Sequence, residues 1–302
     1  MATSRIPPDR GLTVRMFITG LLIVLLWVAV GAILAAFNVE LWIVIAIPAV
    51  LLFCQYWFSD KIALYGMHAH VVTPEQEPEL HGIVDRLCAL SDMPKPRVAV
   101  AETDIPNAFA TGRNPNAAVV CATRGIMRRL DEAELEAVLA HEISHVAHRD
   151  VAVMTIASVL GVFAGLLTRI SVYAGMFSGG DRNNQGGALV DLAVLLVSVV
   201  VYAISFLLTR ALSRYRELSA DRSGAILIGR PSLLASALVK VTGDMSRIPT
   251  RDLRAAEHFN AFFFTPAIAG GSSLSSLFST HPSLEKRLAQ LSKLEAEMNQ
   301  AR

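Results

Sequence analysis

His141-Glu142-Ile143-Ser144-His145 closes a run of helix-forming residues, Asp131-Glu132-Ala133-Glu134-Leu135-Glu136-Ala137-Val138-Leu139-Ala140. Asp131 with Glu134 after it has the form of an N-terminal capping box, so the pentapeptide is expected inside a helix. Residues at i and i+4 share a helix face, which lets His141 and His145 hold one zinc ion together. Glu142 stands beside that face and could take a proton from a water that the metal activates. Many helices carry a His and a Glu by chance; the full H-E-x-x-H pattern behind a cap is a far more specific signal.

The surrounding composition is not that of a soluble enzyme. The chain has 302 residues, 53% of them hydrophobic and only 18% charged, and its mean hydropathy is positive. That balance calls for membrane spans. The net charge of +1 and the lack of a basic stripe or stacking platform give no sign of a nucleic-acid partner, and none is expected. Cys54, Cys88 and Cys121 are odd in number and have no C-x-x-C spacing, so a reducing compartment without disulfides is expected.

Residues 1–15 form a polar tail with Arg5, Arg10 and Arg15. Residues 16–37 and 41–58 are uncharged, and the Asn38-Val39-Glu40 turn joins them into a transmembrane hairpin over residues 16–58. A signal peptide would have a shorter apolar core and a better cleavage site than Ala32-Ile33-Leu34-Ala35-Ala36. Pro48 is tolerated within such a span, and Trp27, Trp42, Tyr56 and Trp57 include interfacial anchors. Residues 59–150 read as the first part of a soluble domain. A helix over residues 79–91 carries the apolar stripe Leu80, Ile83, Val84, Leu87 and Leu90. Strands are expected at 97–101 and 117–121, with a short edge strand within 106–112 and a turn over 112–116.

Residues 151–209 hold a third and a fourth apolar run, at 151–168 and 188–209, around a Gly- and Asn-rich loop at 178–187. Asp191 is read as a carboxylate at the headgroups. Residues 210–302 are the second part of the soluble domain. Helices are expected at 210–229, at 231–242 with Pro231 in its first position, and at 281–298. An irregular stretch over 248–271 contains Phe259, Phe262, Phe263 and Phe264. The fold class is therefore mainly α with a small β-sheet, on four transmembrane helices. Lys and Arg gather in the tail and the two soluble parts, which the positive-inside rule places in the cytoplasm with both termini.

Two histidines leave a catalytic zinc one protein ligand short. His148 lies a turn beyond His145, so the three cannot easily converge, and it is read as a polar residue at the membrane boundary. The metzincin pattern fails because His148 stands where Gly is required and Val151 where His is required. Arg216-Glu217-Leu218-Ser219-Ala220-Asp221 is the better source. Glu217 can ligate, while Asp221, one turn on, accepts a hydrogen bond from a ligand histidine. The bland alternative is a surface acidic pair among Arg214, Arg216 and Arg222. A structural zinc would be closed by a fourth ligand, often Cys, and none lies near; a metal transporter would need ligands within its spans.

H-E-I-S-H, a pair of spans and then R-E-L-S-A-D resemble the HtpX-type membrane zinc metalloproteases. Asn107-Ala108-Phe109-Ala110-Thr111-Gly112 and Ser279-Thr280-His281-Pro282-Ser283-Leu284-Glu285-Lys286-Arg287 fit the same family. The resemblance implies a cytoplasmic gluzincin-like protease domain in a four-span protein of the bacterial inner membrane. It implies one Zn2+ per chain, held by His141, His145 and Glu217, with Glu142 as base and Asp221 orienting His141. Substrates would be misfolded membrane proteins or unfolded polypeptides, their backbone added as a strand beside Asn107, Ala108 and Phe109. His281 and Arg287 would approach the site, His281 as hydrogen-bond donor to the developing oxyanion and Arg287 among the substrate-binding residues. His148-Arg149 departs from the Asn-Gly common in the family. The related prenyl-protein proteases share the zinc motifs but have more spans.

Overall fold

The computed structural model describes residues 10–36, 41–150, 152–155, 162–165, 185–245 and 281–300. Two compact units divide the chain. The first takes in residues 56–152 and the chain from Ser213 onward; the second takes in residues 13–55 and 153–212.

The first unit is built on four short strands: β1 (Ala69–Val71), β2 (Arg97–Ala101), β3 (Ala108–Thr111) and β4 (Val119–Thr123). They lie in the order β1-β2-β4-β3, with β2 and β4 parallel and both outer pairs antiparallel. Side chains alternate across the sheet. Val98, Val100, Val120 and Ala122 face the larger core, while Ala99, Ala101, Phe109 and Cys121 face a smaller one. Helix α3 (Ser59–Gly66) covers the smaller core with Ala63 and Leu64.

Against the other face pack α4 (Pro78–Ser91) and α6 (Glu132–Ala147), which follows the short α5 (Arg124–Arg129). Pro78 occupies the first turn of α4, where its missing N–H costs nothing. Leu80, Ile83, Val84 and Leu87 are buried as expected, whereas Leu90 is 37% exposed because α4 turns it past the edge of the contact. The core is completed by α8 (Pro231–Met245) and α9 (Leu284–Gln300), through residues such as Leu234, Leu238, Leu291 and Leu294.

The strand expected at 117–121 begins later, at Val119. Asn114 caps a 3-10 turn over Pro115–Ala117, and that turn consumes the first residues of the run. The edge strand lies at Ala108–Thr111 as read, and Gly112, at φ 128, turns the chain where a Cβ would meet the Ala117 carbonyl at 2.6 Å.

The second unit contains α1 (Arg10–Ala36), which begins before it, and most of α2 (Leu41–Trp57). The long helix α7 (Gln185–Ile228) contributes its residues up to Leu212 to this unit and the rest to the first. One 44-residue helix covers both the fourth apolar run and the helix expected at 210–229. Ile23, Phe163, Ala164, Val201 and Leu212 form the interior of the second unit, and Trp27 stacks on Phe163 with ring centroids 5.3 Å apart. Phe17, Val28, Leu196 and Val200 point outward, a surface suited to lipid. Among the described residues one helix, Leu195–Ile228, is long and apolar enough by itself to cross a membrane. The loop expected at 178–187 gives way to helix from Gln185, while its residues 178–184, the Asn38 turn, the phenylalanine cluster at 259–264 and most of the third apolar run lie outside the described residues.

Candidate metal centre

Helix α6 opens with the expected capping box: Asp131 accepts from the Glu134 backbone N–H at 2.8 Å, and Glu134 reaches back to Asp131 N–H at 3.2 Å. Glu134 also accepts from Ser236 and Lys240 of α8, which fixes the helix start to the core. From this anchored start α6 carries His141, Glu142 and His145 into a buried site. Helix α7 approaches from the other side with Glu217 and Asp221, one turn apart on one face. Gly224 continues that face, so close that a Cβ there would stand 2.8 Å from the His141 backbone nitrogen.

Nε2 of His141 and Nε2 of His145 are 3.1 Å apart. The Glu217 carboxylate is 3.6 Å from the first and 3.5 Å from the second. Donor atoms around a tetrahedral zinc, each about 2.1 Å from the ion, stand roughly 3.4 Å from one another. Three buried donors at this spacing, two neutral-capable imidazoles and one carboxylate, fit such a cation. His148, by contrast, sits at the C-terminal end of α6, where its Nε2 is 3.5 Å from the Ser223 hydroxyl.

The outer ring nitrogens are also engaged. Asp221 meets Nδ1 of His141 at 2.9 Å. Arg287 holds Asp221 in turn, Nε donating to Oδ2 at 2.7 Å and Nη2 to Oδ1 at 2.6 Å. Arg287 is 1% exposed, so the structure places it behind Asp221 rather than on a surface open to substrate. Its side chain in α9 is spent on neutralising a buried carboxylate, which spacing along the chain does not reveal. On His145, Nδ1 meets Asp150 at 2.5 Å, and Arg216 lies 3.0 Å from the same Asp150 oxygen. Neither Asp150 nor this use of Arg216 was anticipated from the sequence.

Burial works against charge on His141, but Asp221 and Glu217 outweigh it and hold the imidazolium up to a pKa of about 9. Burial keeps the neighbouring His145 below its ordinary value. A cation held between the two facing imidazoles would compete with the proton on His141. Burial pushes Glu142 up to about 7, with Glu217 adding to the shift, and this is the range a general base needs near neutrality. Glu142 Oε2 accepts from the Ala110 backbone N–H of β3 at 3.0 Å. That N–H therefore points away from β4, along the outer edge of the sheet. The side chains of Asn107, Ala108 and Phe109 are all buried, which leaves the β3 backbone, not those side chains, to meet another strand. Nδ1 of His281 lies 3.1 Å from Glu217.

A model of Peptidase family M48 matches residues 74–295. Protease HtpX homolog 1 of Streptomyces coelicolor is 58% identical over 298 residues, 99% of this chain and 97% of its own. Protease HtpX homolog of Moorella thermoacetica is 52% identical over 97% of this chain and 98% of its own. Among solved structures, that of S. mikatae Ste24p is similar with a TM-score of 0.55 at 17% identity, over 94% of this chain and 67% of that one.

Proposed function

Since the chain belongs to peptidase family M48, we infer that its buried centre hydrolyses peptide bonds. It is a membrane-embedded metallo-endopeptidase. The observation that carries this reading is the convergence of His141, His145 and Glu217 with Glu142 beside them. Zinc is the ion that the two-imidazole, one-carboxylate set favours, and bound there it supplies a Lewis acid for the peptide carbonyl and an acidified water. Glu142 accepts the proton of the attacking water and passes it to the leaving amine, a transfer eased by its pKa of about 7. His281, drawn in by Glu217, supplies a donor toward the oxygen that gains negative charge. The β3 edge aligns the substrate backbone as an added strand.

The substrates we propose are misfolded or damaged membrane proteins and unfolded polypeptides, cleaved at the cytoplasmic face of a bacterial inner membrane. Four spans support that reading through the apolar runs at 16–37, 41–58, 151–168 and 188–209, and the orientation follows from the placement of Lys and Arg. The test is casein cleavage by the detergent-solubilised chain, with and without a zinc chelator. Activity that disappears with chelation and returns with zinc is the expected result; activity indifferent to chelation contradicts the reading.

A further inference from the structure

We propose that Asp150 is a positioning residue of the metal centre, holding His145 as Asp221 holds His141. The proposal rests on the reading that His141, His145 and Glu217 bind the ion. Helix α6 ends at Ala147, and Arg149 then adopts φ 56, a left-handed conformation. Had the helix continued, Asp150 would lie roughly 140° around the axis from His145 and point elsewhere. The left-handed turn instead breaks the helix, and the Asp150 carboxylate meets Nδ1 of His145 at 2.5 Å.

The carboxylate is fully buried and cannot be a casual surface contact. Its charge is offset by Arg216, 3.0 Å away, the residue that immediately precedes Glu217. Among the described residues the other Asp150 oxygen, Oδ1, accepts no hydrogen bond, so both contacts converge on Oδ2. A carboxylate on Nδ1–H leaves the lone pair on Nε2 and fixes the ring plane. In this structure that directs the His145 Nε2 toward His141 Nε2 and Glu217.

Each candidate histidine ligand thus has its own carboxylate and its own arginine. The His141 pair, Asp221 and Arg287, comes from α7 and α9. The His145 pair, Asp150 and Arg216, comes from the turn after α6 and from α7. Asp150 therefore sets the aim of one ligand while its arginine sits next to another.

A purely structural role, in which Asp150 only ties two helices together, predicts lost stability without a specific change at the metal. The experiment uses the full-length chain in detergent, with zinc affinity measured by chelator competition and the visible spectrum recorded after cobalt substitution. Asp150→Asn keeps the shape and removes the charge; Asp60→Asn removes a buried carboxylate paired with Arg97, 2.5 Å away at a remote place in the same unit. Asp150→Asn is expected to weaken zinc binding roughly 10–100-fold and to shift the cobalt bands, while Asp60→Asn changes neither. Equal zinc affinity and spectrum in Asp150→Asn and wild type would overturn the proposal, and so would equal losses in the two variants. Should Asp150→Asn fail to fold, Arg216→Lys carries the test, with weakened zinc binding expected and unchanged binding overturning it. A wild-type chain that binds no zinc would instead overturn the metal reading on which the proposal stands.

Discussion

Gly224 lies against the backbone of His141 with no room for a side chain: a Cβ there would meet the His141 nitrogen at 2.8 Å and its Cα at 2.9 Å. Because Glu217, Asp221 and Gly224 follow one another along the same face of α7, this contact sets how near Glu217 can come to the two imidazoles. The clashing atoms are backbone, so no side chain can swing away. Gly224→Ala should force the helices apart, cost about 1–3 kcal/mol of stability and weaken metal binding. Thermal unfolding and chelator competition measure both, and a variant that matches wild type in each would show that the close approach is not needed.

Glu217→Ala should lose most of the bound metal, since it removes one of three ligands. Asp221→Asn should keep a weaker site, reduced roughly 10–100-fold. Asp221→Ala is expected to be worse folded than either, because it leaves Arg287 buried without its bidentate partner, a loss of about 3–5 kcal/mol. Metal content after dialysis against graded chelator ranks the variants. Metal retained in Glu217→Ala and lost first from Asp221→Asn would reverse the two roles.

Metal binding should release a proton and strengthen as pH rises. His141 is held up to about 9 in the metal-free protein, against about 6.5 for an unperturbed imidazole. Its protonated form stabilises the metal-free fold fully below about pH 6.5, and that contribution fades as pH climbs through about 9. A metal must displace this proton, so the apparent affinity should rise by up to about tenfold per pH unit across that window. Zinc competition at pH 7 and pH 8 reads the slope. A flat profile would mean that His141 is already neutral or is not a ligand.

Reporter fusions at residues 120 and 245 should both report cytoplasm, and a fusion at residue 183 the opposite side. The basis is the concentration of Lys and Arg outside residues 151–209. An opposite-side signal at 120 or 245 would overturn the four-span arrangement.

What was legible in the sequence was local. The capping box of α6 lies within one turn of chain, and β2 runs from Arg97 to Ala101 where its apolar residues are read. Glu217 could be chosen without coordinates because two histidines on one helix demand a third ligand. The three-residue strand β1 was missed: its central residue His70 and the preceding His68 are polar, and its pairing with β2 comes from the tertiary fold. Asp150 was missed because its return to His145 depends on Arg149 at φ 56, a conformation that a non-glycine residue does not announce. Arg216 and Arg287 read as surface or substrate-facing cations, yet each neutralises a buried carboxylate contributed from elsewhere in the fold.

Glu142 is buried beside the three donors and bonded to the edge strand through Ala110. The decisive measurement compares peptide cleavage and bound zinc in wild type and Glu142→Gln, purified side by side with contaminating protease excluded. Gln keeps the size of the side chain and cannot accept the proton. The variant should hold zinc as wild type does and lose about 10²–10⁴-fold in cleavage rate. Cleavage at the wild-type rate by a zinc-loaded Glu142→Gln would contradict the assignment of Glu142 as the base.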